Sequence, residues 1–459
     1  MTLNEYLQAL GSKRVAVIGA GISNTPLIDA LLKAGVDTTV LDRRTADELG
    51  GVAAGFGGRG AKLRLGYDYL DDLEADIIFR TPGLMPTNEK LVRAVGRGAV
   101  LTSEMEVFFD ICPCPMIAVT GSDGKTTTTS MIAEILKNEG RTVHIGGNIG
   151  TPLLNMADEM EPDDIAVLEL SSFQLITMKK SAGTAVVTNI APNHLDVHRD
   201  MDEYVEAKRN VYIHQKRSDR VVFNFDNELT RAFAETAAGE IMYFSRKEKV
   251  CDGVYLDGGI IYESMGGQSK PVIPADEIWL PGEHNVENFM AALAAVQGIV
   301  SLPAIRKTAR TFRGAPHRIE LVRELRGVRY YNDSIASSPT RTIAGLRAFD
   351  RRVILIAGGK DKGVAFDELG QEIVKRVKRL VLTGLTKEKI NKAVIDAPGY
   401  NGKPEILLYD DFADAVLAAA RSAREGDIVI LSPACTSFDR FKNFEERGNK
   451  FREIIEALA

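Results

Sequence analysis

The chain has 459 residues, of which 45% are hydrophobic and 26% charged, a composition that excludes a disordered or fibrous protein and allows several globular domains. Its net charge of -6 is spread without a run of like charges, which argues against a nucleic-acid partner. No secretory leader or apolar stretch of roughly 18 residues is visible, and the four cysteines are too scattered for a disulfide scaffold. We therefore expect a cytoplasmic protein without a membrane partner.

Residues 14 to 42 predict a βαβ unit, in which a β-branched strand, a glycine turn and an amphipathic helix lead to a second strand ending at Asp42. The turn at residues 19–24 (GAGISN) almost matches the dinucleotide fingerprint, but Asn24 occupies the position of the third glycine. This departure weakens an NAD interpretation and leaves a loop that can hold another nucleotide's phosphates. The loop at residues 80–83 (RTPG) is predicted to face the same crevice, although this composition is also typical of an ordinary turn.

A second βα unit opens with the strand IAVT, a glycine loop and a helix. Such a loop turns backbone N–H groups toward phosphates, while Lys125 reaches the terminal phosphates and a threonine hydroxyl binds Mg²⁺. The common Walker pattern has glycine where this chain has Val119, so the loop is a compact variant, and a simple helix cap is the alternative. The predicted nucleotide-binding residues are Gly121, Ser122, Asp123, Gly124, Lys125, Thr126 and Thr127.

Oxygen ligands for Mg²⁺ are predicted at the carboxyl ends of the following strands. Glu169 comes just after the apolar run of IAVLEL, although a glutamate there is also typical of a solvated residue or a helix cap. The segment TNIAPNHLDVH adds His194, Asp196 and His198. A zinc site would need a fourth ligand at a recognisable spacing, so we favour His194 beside Mg²⁺.

The pattern of strands predicts an α/β fold with three domains. Residues 1–102 form a Rossmann-like domain, and residues 103–313 form a central domain with a P-loop-type parallel sheet and a small antiparallel patch near residues 241–281. Residues 314–459 contain the strands VILIA, RLVLTG and DIVIL of a Rossmann-like C-terminal domain. The loops GGKDKG and SPACTSFD follow two of these strands and could position a second, anionic substrate, although by composition both are generic.

Nine ordered segments resemble the Mur ligase family along nearly the whole chain: TGSDGKTTT, ELSSFQL, TNIAPNHLDVH, EAKRNVY, GEHNVENFMAAL, PHRIE, NDSIASSPT, GGKDKG and SPACTSFDRFKNFEERGNKF. The last segment, with the Rossmann-like first domain, resembles the D-glutamate-adding branch. The resemblance implies an ATP-dependent amide ligase of cytoplasmic peptidoglycan synthesis, and hence of cell-wall growth, cell shape and division. It would join D-glutamate to UDP-N-acetylmuramoyl-L-alanine through an acyl-phosphate, with ATP and two Mg²⁺, as a monomer.

The resemblance also implies roles for individual residues. Lys125 and Thr126 would engage ATP and Mg²⁺, and Glu169 and His194 would ligate metal, with His194 also a candidate base. Lys208 would be carbamylated, because CO₂ converts its cation into an anion that helps to hold a second Mg²⁺. Without the resemblance, Lys208 is typical of a solvated helix lysine.

The remaining site residues come from the same resemblance. ATP would contact Asn288, Arg318 and Asp333. The UDP part of the other substrate would contact Ile22, Ser23, Asp42, Arg43 and Thr81, and its sugar-peptide part would contact Asn148 and His194. D-glutamate would contact Ser337, Lys362, Ser437, Phe438 and Phe444. The family usually has lysine where this chain has Ile335, so no role is carried over to that side chain. Because the ATP contacts come from two domains, we expect the last domain to swing on a hinge near residues 311–316.

Three alternatives remain at this stage. A folylpolyglutamate synthase would share the phosphate loop and the modified lysine, but it would not need the βαβ unit at residues 14–42. An NAD-dependent oxidoreductase would explain the turn at residues 19–24 and leave the loop at residues 121–127 unexplained. A non-enzymatic nucleotide-binding switch would be excluded by turnover that requires an amino acid.

Overall fold

The structure is a computed structural model that describes residues 1–21, 23–149, 152–192, 197–280, 282–361 and 364–458. The chain forms two compact units, Met1–Phe312 and Arg313–Ala459. Three sheets are present, two in the first unit and one in the second, and each lies within one of the predicted domain ranges. The predicted α/β fold is confirmed, whereas the division into three domains stays a prediction.

The N-terminal sheet is a five-stranded parallel sheet with the strand order β3-β2-β1-β4-β5. This order is that of a Rossmann-like half, as the sequence predicts. The strands are β1 (Arg14–Ile18), β2 (Asp37–Asp42), β3 (Lys62–Leu65), β4 (Ile77–Phe79) and β5 (Val100–Thr102), and the helices are α1 (Leu3–Ala9), α2 (Asn24–Lys33), α3 (Ala46–Leu49), α4 (Gly51–Gly57) and α5 (Glu89–Gly96).

The central sheet has nine strands in the order β14-β13-β12-β11-β10-β9-β6-β8-β7. Its strands are β6 (Met116–Thr120), β7 (Val143–Gly147), β8 (Ile165–Glu169), β9 (Thr184–Val187), β10 (Arg220–Asn224), β11 (Glu240–Ser245), β12 (Gly253–Asp257), β13 (Ile260–Met265) and β14 (Gln268–Pro274). Its helices are α6 (Glu104–Ile111), α7 (Lys125–Asn138), α8 (Ser172–Leu175), α9 (Met201–Arg209), α10 (Glu228–Ala232), α11 (Glu283–Val296) and α12 (Leu302–Thr311). Short 3₁₀ helices cover Leu154–Glu159, Phe233–Thr236 and Ala275–Glu277.

The predicted antiparallel patch is confirmed as the strands β12, β13 and β14 at one edge of this sheet. It continues the parallel sheet directly, because β12 pairs in parallel with β11. The alanine-rich helix α11 is almost completely buried and belongs to the same hydrophobic core as α7. Small side chains allow this close approach of helix to sheet.

A single hydrophobic core joins the two sheets of the first unit. It includes Phe79 at the end of β4, Phe108 on α6, and Leu168 and Phe223 of the central sheet, all with less than 1% of their surface exposed. The backbone N–H of Leu3 also donates to Asp158 across this junction. Burial of shared apolar surface explains why residues 1–312 form one unit rather than two.

The C-terminal sheet has the strand order β15-β16-β20-β17-β18-β19, with all neighbours parallel except β15 and β16. The strands are β15 (Glu320–Leu325), β16 (Val328–Asn332), β17 (Val353–Ala357), β18 (Val377–Leu382), β19 (Glu405–Leu408) and β20 (Ile428–Leu431), and the helices are α13 (Pro339–Arg347), α14 (Asp367–Arg376), α15 (Lys387–Ile395), α16 (Phe412–Ser422) and α17 (Phe444–Glu456). The three predicted strands correspond to β17, β18 and β20. The hairpin β15–β16 was not predicted, because charged residues interrupt its apolar pattern, and the edge strand β19 was not predicted, because it has only three apolar residues.

None of the helices in the described part of the chain combines the length and the apolarity that crossing a bilayer requires.

Candidate active site

The predicted phosphate loop connects β6 to α7, and its two glycines are required by close approach. Gly121 and Gly124 have φ angles of +148° and +78°, which favour glycine. A Cβ atom at Gly121 would lie 1.9 Å from Thr188 Oγ1, and one at Gly124 would lie 2.3 Å from Asn288 Oδ1. The loop is therefore enclosed on one side by the end of β9 and on the other by α11, which brings the predicted ATP residue Asn288 to the loop.

The segment after β9 fixes the backbone of the loop. Asn189 accepts from Ser122 N through its carbonyl and from Asp123 N through Oδ1, both at 2.9 Å. The hydroxyl of Ser122 donates to Ala191 O at 2.8 Å and lies 2.9 Å from Tyr204 Oη. The loop is thus held in shape by its neighbours before any ligand binds, a preorganisation that suits phosphate recognition.

The side chain of Lys125 lies over the loop at the N-terminus of α7. Its Nζ donates to Gly121 O at 2.9 Å and to Ser122 O at 3.0 Å. Thr126 and Thr127 follow in the first turn of the helix, where backbone N–H groups and the helix dipole favour an anion.

Glu169, at the end of β8, meets two of the other predicted site residues. Thr126 Oγ1 donates to Glu169 Oε2 at 2.6 Å, and Asn148 Nδ2 donates to Glu169 Oε1 at 2.7 Å. The carboxylate is buried, with 1% of the residue exposed, so the alternative of a solvated glutamate is wrong. A buried carboxylate beside a hydroxyl is an oxygen donor set that fits Mg²⁺.

Lys208 lies on α9 and points into the same site. Its Nζ donates to Gly121 O at 2.8 Å and to Thr120 Oγ1 at 3.3 Å, and it lies 4.8 Å from the centre of the Tyr204 ring. The residue is 2% exposed, so the alternative of a solvated helix lysine is wrong. Burial and the neighbouring charge of Lys125 hold the pKa of the Lys208 amine well below its ordinary value, which favours the neutral amine.

His198 is buried, with its Nδ1 3.3 Å from Glu203 Oε2. Its Nε2 lies 2.9 Å from Ser172 Oγ, and its ring stacks on Phe173 with a centroid distance of 5.0 Å. His194 and Asp196, the other members of the predicted cluster, lie outside the described residues, as do Ile22 and Lys362. No group of three or more His, Cys, Asp or Glu side chains arranged to hold a metal occurs among the residues that the structure describes.

The predicted nucleotide loop of the N-terminal sheet has an anionic side chain at its centre. Asp42 Oδ2 accepts from Ala20 N at 2.8 Å, and the same carboxylate pairs with Arg44 at 2.7 Å. Asn24 Nδ2 donates to Ile18 O at 2.9 Å and Gly19 O at 3.1 Å, so this side chain closes the loop where the fingerprint has a glycine.

Three further residues predicted for the UDP part lie at this edge of the sheet. Ser23 is exposed and immediately precedes α2, and Arg43 is exposed and follows β2. Thr81 follows β4 and contacts the first loop, since a Cβ atom at Gly19 would lie 3.3 Å from Thr81 Cβ. The carboxyl ends of β1, β2 and β4 therefore bring Ser23, Asp42, Arg43 and Thr81 to one edge, as the sequence predicts.

In the second unit, the predicted ribose residue Asp333 is buried after β16. Ser432 Oγ donates to Asp333 Oδ2 at 2.7 Å, and Ile319 N donates to Oδ1 at 3.3 Å. Burial raises the pKa of Asp333 to about 7. Arg318, the predicted γ-phosphate residue, is exposed, and its backbone N–H donates to Ala315 O.

The loops predicted for D-glutamate are joined by a buried arginine on α17. Arg447 donates to Ser334 Oγ and Ser334 O at 3.0 and 2.8 Å, and to Cys435 O at 3.1 Å. Burial lowers the pKa of Arg447 to about 10. The predicted residues occupy these loops and the start of α17: Ser337 is half-buried, Ser437 is buried, Phe438 is 59% exposed, and the Phe444 ring meets that of His317 edge-on.

Sequence reasoning missed the residues that shape the site rather than line it. Asn189, Tyr204, Arg44 and Arg447 act through hydrogen bonds to backbone or to other side chains. Asn189 directly follows Thr188 in TNIAPNH, so its position after a strand was a signal that could have been used. Arg447 lies in FEERGNKF on a helix, where an arginine is usually solvated.

Two protein-family models match the chain. The Mur ligase middle domain matches residues 119–296, and the Mur ligase glutamate ligase domain matches residues 317–435. The chain therefore belongs to the Mur ligase family.

The chain is 50% identical over 459 residues to UDP-N-acetylmuramoylalanine–D-glutamate ligase of Clostridium novyi (strain NT), with 100% of this chain and 99% of that protein covered. It is 51% identical over 460 residues to the ligase of the same name from Acetivibrio thermocellus, with 99% of each chain covered.

Two solved structures share the fold. The UDP-N-acetylmuramate–alanine ligase of Thermotoga maritima superposes with a TM-score of 0.54 at 17% identity, over 97% of this chain and 99% of that chain. MurF from Acinetobacter baumannii gives a TM-score of 0.56 at 18% identity, over 83% of this chain and 92% of that chain.

Proposed function

We propose that this chain is an ATP-dependent amide ligase that adds D-glutamate to UDP-N-acetylmuramoyl-L-alanine in peptidoglycan precursor synthesis. The observation that carries the proposal is the identity of about half of all residues, over the full length, with ligases named for this reaction. The phosphate loop, Glu169, Asn148 and Lys208 supply the matching chemistry in one place.

The first step is phosphoryl transfer from ATP to the carboxylate of the L-alanyl group, which releases ADP and leaves an acyl-phosphate. Residues 121–127 bind the triphosphate through backbone N–H groups and the N-terminus of α7, and Lys125 stabilises the negative charge that develops on the transferred group. Asn288 is proposed to contact the adenine, and Arg318 and Asp333 of the second unit are proposed for the γ-phosphate side and the ribose.

Mg²⁺ would be held by Thr126 and Glu169, with His194 as a further proposed ligand outside the described residues. The fit rests on the buried carboxylate of Glu169, which has the hydroxyl of Thr126 at 2.6 Å and the neutral amide of Asn148 at 2.7 Å. When bound, the metal neutralises charge on the phosphate oxygens. Two ions are proposed, and the second needs an additional anionic ligand.

Lys208 is the proposed source of that anion. A neutral amine attacks CO₂, forming an N–C bond and losing a proton to give a carbamate. The burial of Lys208 and the nearby charge of Lys125 favour the neutral amine that this reaction requires. Carbamate formation would turn an amine that faces the phosphate loop into an anionic ligand for the second Mg²⁺.

In the second step the neutral amine of D-glutamate attacks the acyl-phosphate, forming the amide bond and releasing phosphate. Ser337, Lys362, Ser437, Phe438 and Phe444 are proposed to hold D-glutamate, and His194 remains the proposed base. The UDP part of the other substrate is proposed to contact Ile22, Ser23, Asp42, Arg43 and Thr81. We expect the enzyme to act as a cytoplasmic monomer.

The test is phosphate release from ATP in the presence of UDP-N-acetylmuramoyl-L-alanine, with D-glutamate compared with L-glutamate, D-alanine and meso-diaminopimelate. Mass spectrometry of the product identifies the amide. Glu169→Gln should abolish release, while Glu159→Gln, which changes an exposed glutamate, serves as the matched control.

Release that depends on D-glutamate alone is the expected result. Release with another amino acid would retain the ligase mechanism and overturn the substrate. Hydrolysis of ATP without any amino acid requirement would contradict the proposed reaction and favour a nucleotide-binding switch.

A further inference from the structure

Arg80, the residue after β4, is an arginine buried at the junction of the N-terminal and central sheets. It is 1% exposed, and its Nε is buried without a hydrogen-bond partner among the residues that the structure describes. Burial lowers the pKa of its guanidinium, against a smaller opposing effect of Glu106. Arginine is rarely buried so completely unless its hydrogen bonds are needed.

One terminal nitrogen of Arg80 closes the loop that follows β4. Its Nη1 donates to Leu84 O at 2.9 Å and to Thr81 O and Pro82 O at 3.3 Å. Thr81 in turn packs against Gly19 in the glycine loop of the N-terminal sheet. Arg80 thus holds the loop that is proposed to contact the UDP part of the substrate.

The other terminal nitrogen reaches the central sheet. Its Nη2 donates to Phe173 O at 2.8 Å and to Thr177 Oγ1 at 3.2 Å. Phe173 lies on α8, which begins three residues after Glu169. The hydroxyl of Thr177 also donates to Glu106 Oε2 at 3.2 Å, which ties the segment just after α8 to α6.

We propose that Arg80 is a positioning residue that fixes the distance between the UDP-binding loop and the Glu169 end of β8. The proposal rests on the proposed function, because only a substrate held at both ends depends on that distance. A planar guanidinium can direct its two terminal nitrogens to two separate segments at once, whereas a lysine ammonium acts from a single point. A substrate that spans both segments gains affinity for its second end through the first.

Calorimetric titration with UDP and with UDP-N-acetylmuramoyl-L-alanine tests this role in Arg80→Met and Arg80→Lys. The measured quantity is Kd for UDP divided by Kd for UDP-N-acetylmuramoyl-L-alanine. This ratio reports how much affinity the sugar-peptide end of the substrate contributes. We expect Kd for UDP-N-acetylmuramoyl-L-alanine to rise about tenfold more than Kd for UDP in both variants, so that this ratio falls about tenfold, while Kd for ADP changes by less than about threefold. A loss of folded protein would instead lower the stoichiometry of all three ligands and leave the ratio unchanged.

Arg97→Met is the matched control, because Arg97 also donates to a backbone carbonyl, that of Leu73, but within the N-terminal sheet region. Its ratio should equal that of the wild type. An unchanged ratio in Arg80→Met, or full rescue by Arg80→Lys, would overturn the positioning role.

Hydrogen–deuterium exchange separates this proposal from the proposed function, since it needs no substrate. Arg80→Met should raise exchange at residues 81–84 and at residues 173–177 together, and Arg97→Met should raise neither. An increase in exchange in only one of these two segments would contradict the proposal that Arg80 holds both of them. A wild-type protein that binds UDP-N-acetylmuramoyl-L-alanine no better than UDP would count against the proposed function, whatever the exchange result.

Discussion

The first unit contains two glycine loops that follow the same kind of strand and precede the same kind of helix, yet their charges are opposite. In the N-terminal loop, at residues 19–24, the carboxylate of Asp42 accepts from Ala20 N at 2.8 Å. In the phosphate loop, at residues 121–124, two lysine amines, those of Lys125 and Lys208, donate to Gly121 O at 2.9 and 2.8 Å.

The side chains around a loop, rather than its glycines, therefore decide which ligand the loop suits. One N–H group of the N-terminal loop already donates to a carboxylate that is itself paired with Arg44, whereas the phosphate loop lies beside two lysine amines, which suit a triphosphate. The oxidoreductase alternative is wrong on other grounds, because it leaves the phosphate loop unexplained and the Mur ligase middle domain matches residues 119–296.

Loss of the Lys125 amine at the phosphate loop should have the largest effect on activity. Lys125→Ala is expected to lower kcat/KM for D-glutamate-dependent phosphate release by about 10³-fold, because charge on the transferred phosphoryl group loses its nearest amine. Lys137→Ala, an exposed position on the same helix, is the control. A decrease in kcat/KM of less than about tenfold would show that the phosphate loop does not need its lysine cation. It would contradict the proposed difference between the two loops.

Lys208 is a second test of the difference between the loops, since it is an unmodified amine in this structure but is proposed to work as an anion. Lys208→Ala should lower activity by about 10²-fold, and formate or acetate should partly restore it by replacing the missing carbamate oxygens. Lys216→Ala, an exposed position, should behave as the wild type. Rescue by methylamine in place of a carboxylate would mean that Lys208 acts as an ammonium group.

The contrast between the loops also shows how far the sequence alone could go. The sequence predicts both loops, because a glycine turn between a β-branched strand and an amphipathic helix is a local pattern. It also predicts Thr126 and Glu169, and the family resemblance adds Asn148; the structure brings Thr126 and Asn148 within hydrogen-bond distance of Glu169. Parallel strands explain this success, since their carboxyl ends always meet at one edge of the sheet.

Contacts between distant segments could not be predicted in the same way. Composition alone suggested a solvated Lys208, and only the packing of α9 against the phosphate loop buries it. The core shared by the two sheets of the first unit likewise depends on which apolar faces meet, and periodicity does not report that. The hairpin β15–β16 was missed because its strands mix charged and half-buried residues.

The helix α6 connects the two sheets that carry the loops, and its buried Glu104 predicts a pH dependence of stability. Glu104 Oε1 accepts from Leu154 N at 3.3 Å, and burial raises the pKa of Glu104 to about 7 from an ordinary 4.5. Because the folded state binds this proton more tightly than the unfolded state, the stabilisation is fully present below about pH 4.5 and is lost as the pH rises through 7.

Between pH 5 and pH 8 the wild type should therefore lose about 2 kcal/mol of unfolding free energy relative to Glu104→Gln, which keeps a neutral side chain. Urea denaturation of both proteins across this range measures the difference. Glu159→Gln, an exposed change, should show no such divergence from the wild type. Parallel curves for wild type and Glu104→Gln would mean that Glu104 is not held protonated at this junction.

A change at Asp42, beside the N-terminal loop at residues 19–24, should have the smallest effect, and it tests whether the two loops bind different ligands. Asp42→Asn removes the charge that pairs with Arg44 and turns an N–H toward that guanidinium, so the loop loses its fixed shape while the phosphate loop is untouched. KM for UDP-N-acetylmuramoyl-L-alanine should rise about tenfold, with kcat and KM for ATP unchanged. Asp47→Asn, an exposed change on α3, is the control. Initial-rate kinetics with each substrate varied in turn measure these KM values. A rise in KM for ATP alone would place the nucleoside triphosphate at the N-terminal loop and reverse the assignment of the two sites.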